Sequence, residues 1–126
     1  MIRRIEKDIQ DLLSLEFIIL SEPVKHHIYN IYVQAPEDSP YDNDIFLFEV
    51  QFPDSYPFNP PIILCRSEIF HPNLSENYNL TLKRFQNTWM ASSRLIYLLL
   101  DCYSLFTEPD YDNIENIEAL ALYEVN

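Results

Sequence analysis

Apolar residues near the start of the chain recur at the spacing of an α-helix. They are Ile2, Ile5, Ile9, Leu12 and Leu13. The positions between them hold the charged residues Arg3, Arg4, Glu6, Lys7, Asp8 and Asp11. Because residues three and four positions apart share one face of a helix, this pattern predicts an amphipathic helix over residues 2–15, with the charged residues on its wet face.

Helical spacing returns in the second half of the chain. Residues 92–106 show helical periodicity, and Ser92 or Ser93 could serve as the N-cap of this helix. A short closing helix is predicted over residues 114–123. Residues 71–91 show little periodicity, which predicts a long loop.

Three segments between the helical ones alternate as β-strands do. Residues 27–34, 45–52 and 62–65 are rich in β-branched and aromatic side chains, which favour strands. The middle segment places four apolar side chains on one face: Phe46, Phe48, Val50 and Phe52. Turn clusters at residues 36–40 and 53–57 separate the segments. The prediction is an α+β fold, in which helices pack on an antiparallel sheet.

Charge narrows the choice of partner. The chain has 126 residues, 48% of them hydrophobic, and a formal net charge of -12 at pH 7. This length and apolar content suit one domain with a sizeable core. Nucleic acids and anionic membranes attract basic surfaces, so we expect neither as a partner. The expected partner is a protein that offers a basic surface.

The cysteines indicate the cellular environment. Cys65 and Cys102 lie in apolar surroundings without CxxC spacing. This arrangement predicts buried free thiols and a location in the cytoplasm, the nucleus or both. No apolar run approaches the roughly 20 residues of a membrane span.

The chain contains no glycine. Turns that need a positive φ must then use other residues, and Asn and Asp tolerate that conformation best. Asparagine is indeed frequent at the predicted turns, at Asn43, Asn73, Asn77, Asn79 and Asn113. We therefore expect the positive φ angles at Asn or Asp.

Four motifs carry a family resemblance. "YPFNPP" at 56–61, "HPN" at 71–73, Trp89 and "SLFTEP" at 104–109 stand in the order and at the spacing of ubiquitin-conjugating enzymes. The chain resembles that family from Arg4 to its last residues. The resemblance implies an N-terminal helix, a four-stranded antiparallel meander, a long active-site-like loop, a central helix and a truncated C-terminal helix. It also implies a single domain over residues 1–126, without the last helices of the family.

The same resemblance assigns roles around the expected active site. It implies that His71 holds the loop by bonding to the backbone, and that Asn73 is a candidate donor to the oxyanion. The position of the family's catalytic cysteine holds Thr81, and a position that is usually glycine holds Tyr78. A threonine hydroxyl is essentially un-ionised at neutral pH, and an oxyester is a poor acyl donor to lysine. These residues therefore predict a vestigial site in a catalytically inactive variant, not an enzyme, with no cofactor and no metal.

By resemblance, protein binding would use an exposed loop with Phe58 at its tip and Pro57 beside it, together with Arg4, Met90 and Ala91. The expected function is a binding or regulatory subunit in conjugation of ubiquitin or a related modifier. Its partner would be an active conjugating enzyme, the modifier, or a ligase or complex subunit. Two alternatives stay open: an enzyme with Thr81 as nucleophile, or a stand-alone module that binds ubiquitin or a peptide.

Overall fold

The described residues form a sheet with helices on it. This computed structural model describes residues 2–41, 44–67, 71–73, 88–111 and 114–125. Its elements, in chain order, are α1 (Ile2–Asp11), a 3-10 turn (Leu12–Ser14), β1 (Ile18–Lys25), β2 (Ile28–Gln34), β3 (Ile45–Gln51), β4 (Ile62–Cys65), α2 (Leu95–Ser104) and α3 (Ile117–Val125). The predicted α+β class is confirmed.

The four strands form an antiparallel meander in the order β1-β2-β3-β4. β2 and β3 pair without interruption, from Ile28 opposite Gln51 to Gln34 opposite Ile45. The alternating pattern predicted only three strands, and β1 entered through the family resemblance. β1 lies at the edge of the sheet, where Pro23 is tolerated and the register shifts beside it. Its mostly exposed side chains show no clean alternation.

The core lies between the inner face of the sheet and the helices. β3 contributes the side chains that its pattern predicted, and they are buried: Phe46, Phe48, Val50 and, just after the strand, Phe52. The helices contribute Ile5, Ile9, Leu12, Leu95, Leu98, Leu99 and Cys102. Phe106, which follows α2, stacks on Phe46 with ring centroids 5.5 Å apart. The sheet and the end of α2 therefore share one aromatic cluster.

The helices are shorter than their patterns predicted. α1 ends at Asp11, because the chain tightens into the 3-10 turn and leaves Leu13 exposed. The predicted serine N-cap of α2 is wrong: Arg94 holds the N-cap position without a capping side-chain hydrogen bond. The Ser93 hydroxyl accepts a hydrogen bond from the Met90 N–H instead. Within the described ranges, no helix has both the length and the apolar character needed to cross a membrane.

Among the described residues, positive φ does not fall on Asn or Asp. It falls on His27, with φ at 60°, in the turn between β1 and β2. The expectation of Asn or Asp is therefore wrong for this turn. The expectation of buried free thiols holds for both cysteines. Burial raises the pKa of the Cys65 thiol to about 11, so the thiolate is disfavoured at neutral pH.

Candidate functional site

His71 is a buried histidine that fastens its segment to the end of α2. The Asn73 N–H donates to its Nδ1 at 3.0 Å, so Nδ1 carries no proton. Nε2 therefore carries the proton and donates to the Leu105 carbonyl oxygen at 2.6 Å. Burial lowers the pKa of His71, although the bond to Leu105 opposes the shift. Both ring nitrogens are thus engaged with the backbone in the neutral form.

Asn73 is fully buried and ties the same segment to the stretch after α2. Its Nδ2 donates to the Asp110 carbonyl at 2.7 Å, and the Asp110 N–H donates to its Oδ1 at 2.8 Å. The Pro72 carbonyl also accepts from the N–H groups of Glu115 and Asn116, at 2.8 and 3.0 Å. We call residues 71–73 the platform, because two side chains and one carbonyl bond this short segment to three other parts of the chain.

Two of the predicted site residues lie outside the described residues. They are Thr81, at the position of the family's cysteine, and Tyr78. The described part of the expected active site is therefore the platform alone. In it, the Asn73 amide bonds to the Asp110 backbone. The role of oxyanion donor stays a prediction.

The predicted protein-binding residues form a second group, which we call the docking face: Pro57, Phe58, Met90 and Ala91. Phe58 is 76% exposed and Met90 is 64% exposed. The two come from different loops, and Trp89 joins these loops by donating from its indole Nε1 to the Pro57 carbonyl at 2.8 Å. Two large apolar side chains are thus presented to solvent on connected loops.

Arg4, the remaining predicted binding residue, supports this face from beneath. Its Nε donates to Asp8 Oδ2 at 2.8 Å, and its other nitrogens donate to the carbonyl oxygens of Ala91 and Ser93. The Tyr56 hydroxyl donates to the same Asp8 oxygen at 2.5 Å. Burial and, after it, the bond to Asp8 hold the pKa of Tyr56 far above its ordinary value, so the hydroxyl stays a donor. We call Arg4, Asp8 and Tyr56 the clamp.

The pattern of charged residues misassigned Asp8. It placed Asp8 on the wet face of α1, whereas the residue is only 2% exposed. The spacing contained the signal, because Asp8 stands three residues after Ile5 and four before Leu12 on the buried stripe. A carboxylate on that stripe predicts a buried partner. Arg4, four residues before Asp8, is that partner.

The described residues show no group of three or more His, Cys, Asp or Glu side chains that could hold a metal ion. The hydrogen bonds of the platform run to residues 105, 110, 115 and 116, and those of the clamp run to residues 91 and 93. The platform and the docking face are therefore held by hydrogen bonds to different parts of the chain.

Comparison with known proteins gives this architecture a family. The family model described as "Ubiquitin-conjugating enzyme" matches residues 4–126. The chain is 33% identical over 97 residues to "Ubiquitin-conjugating enzyme E2 2" of Kluyveromyces lactis, which covers 77% of the chain and 59% of that relative. It is 32% identical over 97 residues to the protein of the same name from Saccharomyces cerevisiae, covering 77% of the chain and 56% of the relative. The chain spans less than two thirds of the length of these relatives.

These matches correct one expectation and confirm another. The interpretation of the chain as not an enzyme, drawn from Thr81, is contradicted, because the relatives it matches are named as enzymes. The fold that the four motifs implied is the observed one, and the family model extends over almost the whole chain. The chain belongs to the ubiquitin-conjugating enzyme family.

Proposed function

We propose that this protein acts in ubiquitin conjugation as a conjugating-enzyme domain and meets its protein partners through the docking face. The observation that carries the proposal is that two exposed apolar side chains of the docking face lie over the buried residues of the clamp. Phe58 and Met90 face solvent, whereas Asp8 and Tyr56 beneath them are each 2% exposed. Membership of the family supplies the pathway, and the partners in it are the activating enzyme, the modifier and a ligase.

The docking face has the physical properties of an interface anchor. Aromatic side chains at the centre of an interface carry much of its binding energy. Binding also costs entropy when loops must be ordered, and loops that are already fixed avoid that cost. Here Trp89 bonds to Pro57, and Arg4 bonds to the carbonyl of Ala91, so both loops are held before a partner arrives.

In this proposal, Thr81 accepts the acyl group of the modifier. Its Oγ attacks the carbonyl carbon of the thioester on the activating enzyme, and a C–O bond forms as the C–S bond breaks. The thiolate leaves, and the hydroxyl proton passes to solvent. His71 does not take that proton, because both of its ring nitrogens are bound to the backbone. Without a positioned base a hydroxyl is a weak nucleophile, so we expect slow transfer and an oxyester product.

The test of acyl transfer is incubation with activating enzyme, ATP and ubiquitin. We expect an adduct that survives thiol reductants and is cleaved by hydroxide, because an oxyester does not exchange with thiols. Thr81→Val is the matched control, since it keeps the shape and removes the hydroxyl. An adduct that forms equally on the Val variant, or one that a thiol removes, would overturn the assignment of Thr81.

The docking face is tested in the same reaction at limiting activating enzyme. Phe58→Ala should slow adduct formation at least tenfold, because a central aromatic anchor contributes about 2 kcal/mol or more. The control is Asn59→Ala at the next residue, which is exposed and whose side-chain amide donates to the Ser55 hydroxyl on the surface. Equal rates for the two variants would remove the docking face from the proposal.

A further inference from the structure

The face of the sheet that is turned away from the core is rich in apolar side chains. An antiparallel sheet with one face on the core commonly alternates between apolar residues inside and polar residues outside. β4 departs from this pattern, because Ile62 and Leu64 point outward while Ile63 and Cys65 are buried. A strand that is apolar on both sides is typical of sheets with both faces covered. The composition of β4 therefore indicates that a further surface packs on this side.

The strand register arranges the outward side chains in rows across the sheet. Residues directly opposite each other on neighbouring strands share one face, so each row takes one residue from each strand that it crosses. The first two rows are Lys25, Ile28, Gln51 and Ile62, and then Glu22, Asn30, Glu49 and Leu64. The next two are Leu20, Tyr32, Leu47 and Arg66, and then Gln34 and Ile45. We call these residues the outer face.

The apolar members of the outer face are accessible on three strands. Leu20 of β1 is 51% exposed, Ile45 of β3 is 53% exposed and Ile62 of β4 is 49% exposed. Large apolar patches on a protein surface mark sites of interaction. The exposed apolar area thus extends across the whole sheet rather than lying at one edge.

The charges of the outer face are balanced and paired within it. Two carboxylates and two cations lie there, whereas the whole chain has a formal net charge of -12. The Tyr32 hydroxyl donates to Glu22 Oε1 at 3.4 Å, and the side chains of Arg66 and Gln51 donate to Glu49 Oε2 at 3.0 and 2.6 Å. Covering this face therefore leaves neither carboxylate without a donor. A basic partner is not needed here, unlike elsewhere on this acidic chain.

A second copy of the chain fits the outer face without bringing like charges together. A two-fold axis between β2 and β3, parallel to the strands, lays β2 of one copy on β3 of the other and β1 on β4. Each row then meets the same row of the second copy in reverse order. The facing pairs that involve a charge are Glu49 with Asn30, Glu22 with Leu64, Lys25 with Ile62, and Arg66 with Leu20. The face is thus self-complementary, which a two-fold interface requires.

We propose that two copies of the chain associate through their outer faces, with the two sheets packed in the aligned arrangement. Strands about 4.8 Å apart and rows about 7 Å apart give a face of about 500 Å² on each copy. An interface of this size belongs to the weak, transient class. The outer face shares no residue with the platform, the docking face or Thr81, so the inference does not depend on the proposed function.

The salt dependence of the dimer follows from the charges. Two acidic chains repel each other at long range, and salt screens that repulsion, whereas the contact itself is apolar and neutral. Salt should therefore strengthen association. Analytical ultracentrifugation of the whole chain, at low and at high ionic strength, should show a monomer–dimer equilibrium that shifts towards dimer in high salt. A chain that stays monomeric up to about 1 mM, or a dimer that salt dissociates, would overturn the inference.

Two matched variants locate the contact. Leu20→Lys places a cation opposite Arg66 of the second copy and should weaken dimerisation at least tenfold. Leu13→Lys makes the same change in the 3-10 turn, off the sheet, and should not weaken it. Both leucines are exposed, at 51% and 66%, so both variants should fold, and both change the net charge equally. Circular dichroism checks the folding, and equal dimerisation of the two variants would refute the assignment of the outer face.

A different occupant of the face is also detectable. NMR of the natural sequence at low concentration, titrated with ubiquitin, follows the methyl resonances of Leu20 and Ile62. If these resonances shift with ubiquitin while the chain alone stays monomeric at every concentration, the outer face binds the modifier and the dimer is refuted. Shifts of the same resonances with the concentration of the chain alone support the dimer.

Discussion

The platform and the docking face use buried polar groups in opposite ways. In the platform, the side chains of His71 and Asn73 turn inward and bond to the backbone of the segments around them. In the docking face, the polar groups lie beneath, in the clamp, while Phe58 and Met90 project into solvent. The residues that the family resemblance singles out are buried and hydrogen-bonded in the platform, whereas in the docking face Phe58 and Met90 are exposed.

This difference predicts that substitutions reduce stability strongly in the platform and weakly at the exposed residues of the docking face. A substitution in the platform must disturb the fold, because the named residues are themselves the hydrogen-bonded supports. A substitution at the tip of the docking face leaves its support intact. The comparison therefore predicts a ranking of stability effects, which runs from the clamp to the platform and then to the tips.

The largest loss is expected from Asp8→Ala. It removes the buried acceptor of both the partly exposed Arg4 guanidinium and the buried Tyr56 hydroxyl, and we expect a loss of about 3 kcal/mol. Urea unfolding, followed by Trp89 fluorescence, measures it. The matched control is Asp11→Ala in the same helix, whose ion pair with Arg94 is solvent-exposed and which should lose far less. Similar losses in both would show that the clamp does not hold the docking face.

Asn73→Ala should rank second, with a loss of about 2 kcal/mol. The change removes a fully buried amide that bonds to both the N–H and the carbonyl oxygen of Asp110. The control is Asn59→Ala, since the Asn59 amide makes its hydrogen bond on the surface. If Asn73→Ala lowered the free energy of unfolding no more than Asn59→Ala does, the Asn73 amide would not hold the platform. The proposed difference between the platform and the docking face would then be wrong.

His71 should give the platform a pH dependence. Burial lowers its pKa in the folded protein, so the unfolded chain takes up the proton first as the pH falls. The stability that His71 contributes is therefore complete above its ordinary pKa of roughly 6.5 and is lost as the pH falls from there towards the lowered value. The slope is at most about 1.4 kcal/mol per pH unit. Chemical unfolding between pH 7.5 and 5 should show this slope in the natural sequence and a shallower one in His71→Gln.

The sheet was predictable where burial leaves a period of two in the sequence. β3 shows that period, and its four apolar residues are buried as expected. β1 does not show it, because an edge strand with Pro23 is packed on too few sides to impose alternation. The helices were predictable in place, but their ends depend on local hydrogen bonds, such as the Ser93 hydroxyl that bonds to Met90 instead of capping α2.

The site was predictable only in part, and for a physical reason. The family resemblance implied the residues of the platform and of the docking face, most of which lie in or beside its short motifs. The clamp joins residues that lie 48 positions apart, Asp8 and Tyr56, and no local pattern encodes such a contact. The mistaken inference of inactivity came from a few positions of the expected active site, Thr81 and Tyr78 above all, whereas the family relationship extends over almost the whole chain.

The smallest effect on stability is expected from Phe58→Ala, and it tests the comparison most sharply. The side chain is 76% exposed, so its removal should change the free energy of unfolding by less than about 0.5 kcal/mol. The matched control is Phe48→Ala, a buried phenylalanine whose loss should cost about 3 kcal/mol or more. Surface plasmon resonance with the activating enzyme should show faster dissociation for Phe58→Ala, because anchor residues act chiefly on the off-rate. A large loss of stability without a change in dissociation would instead show that Phe58 stabilises the fold, as the residues of the platform do.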